Sequence, residues 1–203
     1  LKNPENAYRV LKALVAAVDM PVTVKMRIGW DDQHINIMEM AQLAQEAGVA
    51  AIAIHGRTRE QFYRDQADWG IIGKVRASLR IPVIANGDVR TVQDLAKIRQ
   101  VTGCEAVMVG RAAQGNPWIF RQLTEYLKTG AVLPGPTIEE RKEVIIRHLD
   151  MLLKFKGDYI GPREMRKHAT WYTKGIKGSA ELRCLFNQAV CRDDFLRILD
   201  KMK

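Results

Sequence analysis

The chain has 203 residues, 47% hydrophobic and 27% charged, enough to bury one core or two, and no stretch is apolar for long enough to cross a bilayer. Its 32 Lys and Arg against 23 Asp and Glu give a net charge of +9, which favours anionic partners such as nucleic acid. Three cysteines, Cys104, Cys184 and Cys191, form an odd set without C-x-x-C spacing, so neither a disulfide framework nor a metal site is expected, and the expected compartment is a reducing cytoplasm. Leu1-Lys2-Asn3-Pro4-Glu5-Asn6 has no signal-peptide pattern and no initiator methionine, so the chain is expected to begin partway through a longer protein.

In chain order, strand-like apolar runs alternate with segments of helical period. A strand over 22–28 leads to a helix over 36–47, and a strand over 50–55 to a helix over 69–78. A strand over 83–85 leads to a helix over 91–101, and one over 106–109 to a helix over 117–128. Thr91 and Asn116 suit N-caps, Pro117 suits a first helical position, and Gly48 and Gly103 suit helix ends. A weak internal repeat, Gly48-x-x-Ala51 through Gly56-Arg57 against Gly103-x-x-Ala106 through Gly110-Arg111, supports the division into βα units. The fold class is therefore α/β, the C-terminal half of a (β/α)₈ barrel, followed by a small all-α domain. Four strands cannot close a barrel, so the other half is expected outside this sequence, and the isolated chain is expected to self-associate through open edges.

After Leu133-Pro134-Gly135-Pro136 the strand signal stops. Residues 1–134 are assigned to the partial barrel and 135–203 to the helical domain. The barrel part carries 17 basic and 13 acidic side chains, the shorter tail 15 and 10, so the tail is the more basic per residue. Thr137-x-x-Glu140 is a capping-box pattern for a helix running to about Lys156, which Gly157 ends. Pro162 is expected to open a second helix, with shorter ones starting at Ser179 and Asp193.

The polar residues at strand ends point to anion chemistry. Lys25 and Arg27 share one side of the first strand at the catalytic face of the expected barrel, and His55, Gly56 and Arg57 end the second strand in the equivalent place. Asn86-Gly87-Asp88 and Gly110-Arg111 end the third and fourth, the loops from which barrels build phosphate cradles. Glycine lets backbone approach a phosphate and Arg111 can neutralise it. In the tail, residues 158–178 set Arg163, Arg166, Lys167, Lys174 and Lys177 against Asp158 and Glu164, interleaved with Trp171 and Tyr172. That mixture suits RNA contact.

Lys25-x-Arg27, His55-Gly56-Arg57-Thr58, Asn86-Gly87-Asp88, Gly110-Arg111-Ala112, Gly115-Asn116-Pro117-Trp118 and Arg166-Lys167-His168-x-x-Trp171, in this order and spacing, resemble the bacterial tRNA-dihydrouridine synthases, best their B-type subgroup. The resemblance covers almost the entire chain. It implies an FMN-binding barrel with a tRNA-binding helical domain, NADPH as reductant, and reduction of a specific tRNA uridine to 5,6-dihydrouridine. It further implies cofactor contacts from Lys25, His55, Asn86, Gly87, Asp88, Gly110 and Arg111, and substrate or RNA contacts from Arg27, Arg57, Arg163, Arg166, Lys167, His168 and Lys174. The family's proton-donating cysteine belongs to the first half of the barrel, and none of the three cysteines here matches its motif, so this chain alone is expected to be inactive. Two alternatives stay open: another FMN barrel acting on a free pyrimidine, and a non-catalytic RNA-binding half-barrel.

Overall fold

A computed structural model describes residues 2–203. The chain forms two compact units, Leu1–Gly110 and Arg111–Lys203.

The first unit opens with α1, Pro4–Ala17, whose cap Asn3 accepts a 2.9 Å hydrogen bond from the Asn6 N–H. This helix lies outside the elements expected above, although Asn3-Pro4 is a cap followed by a first-position proline. None of its residues is buried, and Val10 and Leu14 are half-exposed. The four βα units then follow as β1 Thr23–Arg27, α2 Ile37–Glu46, β2 Ala51–His55, α3 Trp69–Ser78, β3 Val83–Asn86, α4 Val92–Thr102 and β4 Ala106–Met108. All lie within a residue or two of their expected positions. Thr91 and Asp94 close a reciprocal capping box on α4, and Gly103 ends it at φ 65°.

The strands are parallel in the order β1-β2-β3-β4. Chain neighbours are sheet neighbours throughout and the order never reverses. With right-handed crossovers, every connecting helix then falls on one face, the winding of a barrel segment and not of a doubly wound sheet. Correspondingly, α1 packs on α2, α2 on α3 and α3 on α4. The register rows Val24↔Ile52, Met26↔Ile54, Ile52↔Val83 and Ile54↔Ala85 set apolar side chains on the helix-covered face. Ile52, Ile54 and Ala85 are fully buried, as are Ile37, Ala41, Ile72, Val75 and Ile98 of the helices.

The second unit begins with a 3₁₀ turn, Arg111–Ala113, and α5, Trp118–Thr129. Pro117, and not Asn116, occupies the cap of α5, without a side-chain bond. The compact division thus falls before the composition break at 134, because α5 packs with the helices: Trp118 lies against their core and edge-on to Tyr172 at 6.3 Å. A helical run, α6, spans Ile138–Tyr172, opened by the expected Thr137–Glu140 capping box and interrupted at Gly157 with φ 76° and ψ 173°. Its two arms, 138–156 and 158–172, form an antiparallel hairpin. The Arg141 guanidinium donates to the Tyr172 carbonyl at 2.7 Å, and the His148 and His168 rings lie 4.6 Å apart. A Cβ on Gly161 would meet the Leu152 backbone at 3.1 Å, so the arms approach where glycine leaves room. The second arm starts at 158, ahead of Pro162, because Gly157 reverses the chain in a conformation other residues avoid. α7, Ser179–Gln188, and α8, Arg192–Leu199, close the unit. Cys191 and Asp194, in place of Asp193, cap α8. The core gathers Ile145, Leu149, Met165, Ala169, Phe186 and Phe195. Among the described residues no helix is long and apolar enough to cross a membrane.

Candidate functional site

The C-terminal ends of β1, β2 and β3 hold most of the predicted site residues of the first unit. Pairing aligns Arg27 with His55, His55 with Asn86, and Asn86 with Met108, in one row across the sheet. Two residues earlier Lys25 aligns with Ala53 and Ala53 with Ile84. Side chains in register and two apart share a face, so Lys25, Arg27, His55 and Asn86 all lie on the face opposite the helices. In a barrel that face is the interior.

Arg57, implied above as a substrate or RNA contact, is buried in this chain. It is 1% exposed, and its guanidinium donates to the Arg64 carbonyl at 2.9 Å, the Asp65 carbonyl at 2.5 Å and the Asp88 carboxylate at 2.5 Å. Its remaining nitrogen donates to His55 Nε2 at 3.3 Å. The same Asp88 oxygen accepts the Ala67 N–H at 2.9 Å. Arg57 and Asp88 therefore tie the loop after β2 to the loop after β3. Asp88 holds φ at 56°, and Trp69 Nε1 donates to the Gly87 carbonyl at 3.0 Å in the same knot. Gly87 is required there: its φ is 130°, and a Cβ would come within 2.6 Å of the Ala67 side chain and 3.2 Å of the His55 ring. The Asn86 amide donates to the Met108 carbonyl at 2.7 Å, joining β3 to β4.

Arg27 likewise turns to the loop, donating to the Thr58 and Phe62 carbonyls at 2.5 and 3.0 Å with its guanidinium 5.7 Å from the Tyr63 ring centre. Burial, first, and then the charge of Arg27 push the Lys25 ammonium below its usual range. Among the described residues Lys25 has no hydrogen-bond or ion-pair partner. His55 is pushed down to about 4, first by burial and then by Arg27, Lys25 and Arg57, against a smaller opposing pull from Asp88. It is neutral at physiological pH. Because Arg57 only donates, the contact leaves the lone pair on Nε2 and the ring proton on Nδ1. A cavity of about 520 Å³ opens along the free edge of β1, lined by Lys25, Arg27, Val24 and Met26 with Val10 and Leu11 of α1.

Gly110 ends this unit in an exposed position where an added Cβ would meet nothing, so the chain's own packing does not require glycine there. Arg111 opens the second unit on the 3₁₀ turn. Among the tail residues, Arg163 is exposed, donating to the Tyr159 carbonyl at 2.6 Å with its guanidinium 3.7 Å over the Tyr159 ring. Lys167 lies 5.2 Å from the Trp171 ring centre and Lys174 is exposed. Arg166 instead donates to the Ala189 carbonyl at 2.8 Å, tying α6 to the loop before α8. His168 sits half-buried between His148 and Trp171. Tyr172, read from sequence as an RNA-facing aromatic, is 7% exposed, with its hydroxyl 3.2 Å from His148. Phe155 and Tyr159, which sequence reasoning passed over, are among the most exposed large side chains at 75% and 71%. Their place beside Gly157 was the available signal. Cys104 is buried and Cys184 and Cys191 are exposed.

The family model described as dihydrouridine synthase matches residues 1–203. A tRNA-dihydrouridine synthase B from Xanthomonas campestris pv. campestris is 46% identical over 189 residues, 93% of this chain and 57% of that protein. One from Vibrio vulnificus is 43% identical over 187 residues, 92% of this chain and 58% of that protein. One from Vibrio cholerae is 40% identical over 200 residues, 98% of this chain and 62% of that protein. The chain thus spans about three-fifths of the length of these curated relatives.

Proposed function

The chain belongs to the dihydrouridine synthase family, and from that premise we propose that the protein of which it forms part reduces a uridine of tRNA to 5,6-dihydrouridine, using FMN and NADPH in the cytoplasm. The observation that carries this reading is the row of Lys25, Arg27, His55 and Asn86 on the face opposite the helices, with Lys25 lacking a carboxylate partner. A cation held at a strand end among other cations is the electrostatic condition of a site built for an anionic group. The residues present therefore fit a flavin phosphate and an anionic ring.

FMN, when bound, supplies the hydride. Lys25 stabilises negative charge on its ring, and neutral His55 offers the Nδ1 proton as a donor without adding charge. Asn86, Gly87 and Asp88, and by the family resemblance Gly110 and Arg111, would hold the phosphate. In this reading Asp88 contributes through its backbone position, since its carboxylate is engaged by Arg57. Arg27 and Arg57 are positioning residues that hold the loop following β2. The proton that completes reduction is not assigned to Cys104, Cys184 or Cys191. By chain order residues 1–134 supply four βα units, and the basic tail, with Arg163, Lys167 and Lys174 exposed, meets the tRNA.

The test is the visible spectrum of the purified full-length protein, followed by NADPH-dependent dihydrouridine formation in unmodified tRNA. Lys25→Ala should lower turnover by about 10²-fold while the protein stays folded. A flavin-free protein that cannot be loaded with FMN would turn the reading toward RNA binding without catalysis. Reduction of free uracil but not tRNA would turn it toward small-pyrimidine chemistry.

A further inference from the structure

The hairpin of α6 ends in a tip, 154–160, in which all seven residues are exposed. That tip carries Phe155 and Tyr159, one on each side of Gly157. Solvent exposure of two large rings four positions apart needs a reason, because the hydrophobic effect alone would fold them inward. The same stretch of chain is rich in cations. Lys154, Lys156, Arg163, Arg166 and Lys167 are opposed over the same stretch only by Asp158 and Glu164. Of these acids, Glu164 meets Lys156 across the hairpin at 3.9 Å. The Arg163 guanidinium, stacked at 3.7 Å on Tyr159, fixes that ring and presents a planar cation beside it.

We infer that the hairpin tip is a stacking platform for unpaired nucleotides of RNA, with Phe155 and Tyr159 taking base faces and Lys154, Lys156 and Arg163 taking phosphates. The inference rests on the tRNA reading above and names a contact point within it. Paired A-form RNA offers side chains little access to base faces, whereas loops expose them, and aromatic rings stack on any exposed base. Charge decides against a protein partner or a second copy of this chain, since two rings in a stretch rich in cations make a poor apolar seal and repel themselves across a symmetric contact. The Gly157 turn and the close packing of the arms at Gly161 set the backbone of the tip, and Arg163 holds the Tyr159 ring.

The experiment uses the full-length protein and unmodified tRNA transcript. Phe155→Ala with Tyr159→Ala should weaken tRNA binding by about tenfold or more, with unchanged flavin content, circular dichroism and salt dependence of binding. Phe155→Trp with Tyr159→Phe, which keeps both rings, should bind as the parent does. Equal affinity in the alanine variant, alongside a parent protein that reduces tRNA, overturns the platform and leaves the enzymatic reading intact. A change in oligomeric state of the alanine variant without RNA overturns it in favour of a second copy. A parent protein that neither reduces nor binds tRNA overturns both.

Discussion

Positive charge at the strand ends of the sheet unit and around the hairpin of the helical unit is used in two different ways. In the sheet unit Arg27 and Arg57 turn inward to backbone carbonyls and one carboxylate, and Arg57 is buried completely. In the helical unit Lys154, Lys156, Arg163, Lys167 and Lys174 stand in solvent. The comparison teaches that the same residue type carries different information according to its partners. A guanidinium whose donors meet carbonyls sets the shape of a loop, whereas exposed cations act at a distance and through counterion release.

The largest effect should come from breaking the inward network. Arg57→Ala removes the buried ion pair to Asp88 and the donor to two loop carbonyls, and should destabilise the protein by about 3–5 kcal/mol in urea unfolding. Arg57→Lys should not restore stability, because an ammonium cannot reach the Arg64 and Asp65 carbonyls and Asp88 in one fork. Next is the pH dependence carried by His55, whose folded pKa lies near 4 against an ordinary 6.5. Between those values the unfolded chain binds a proton that the folded chain refuses. Its stabilising contribution is thus intact above about 6.5 and falls as pH drops toward 4, by up to about 3 kcal/mol. Unfolding titrations of His55→Asn should lose that slope; an unchanged slope would place its origin elsewhere.

Gly157→Ala forces a Cβ into φ 76° and ψ 173° and should lower stability by about 1–3 kcal/mol. If the hairpin tolerates it without loss, the turn is not set by that glycine. Thr91→Ala removes one half of the α4 capping box and should cost about 1 kcal/mol. Smallest in stability is Lys154→Ala with Lys156→Ala, within about 0.5 kcal/mol for solvated cations. The same change should flatten the salt dependence of RNA binding by about one to two units of log–log slope. A slope that does not move would remove the helical unit's half of the comparison.

Much of the fold was legible because its signals are local. The alternation of apolar strands and helical periods located four βα units to within a residue or two, and Thr91, Thr137-x-x-Glu140 and Gly157 marked ends that the backbone obeys. The first helix lies outside the sequence reading although Asn3-Pro4 is a local start signal, and its apolar residues Val10 and Leu14 stay half-exposed even where it packs on α2. The row of strand-end residues was legible, since parity along a strand already puts Lys25 beside Arg27. Its internal division was not. Nothing local distinguishes Arg57, which is buried against Asp88, from Arg163, which is solvated, because Asp88 lies 31 positions away.

What the sequence alone determined is what depends on neighbours within a few positions: strand and helix periods, caps, the glycine turn of the hairpin, and the motifs that mark the family. The tertiary structure decided what depends on residues far apart. It decided that α5 packs with the helices despite the composition break at 134, that Tyr172 is core while Phe155 and Tyr159 are surface, and that Arg57 is buried against Asp88. The physical reason is that burial and hydrogen-bond partnership are properties of a place in space, and distant segments of chain meet there only once it has folded.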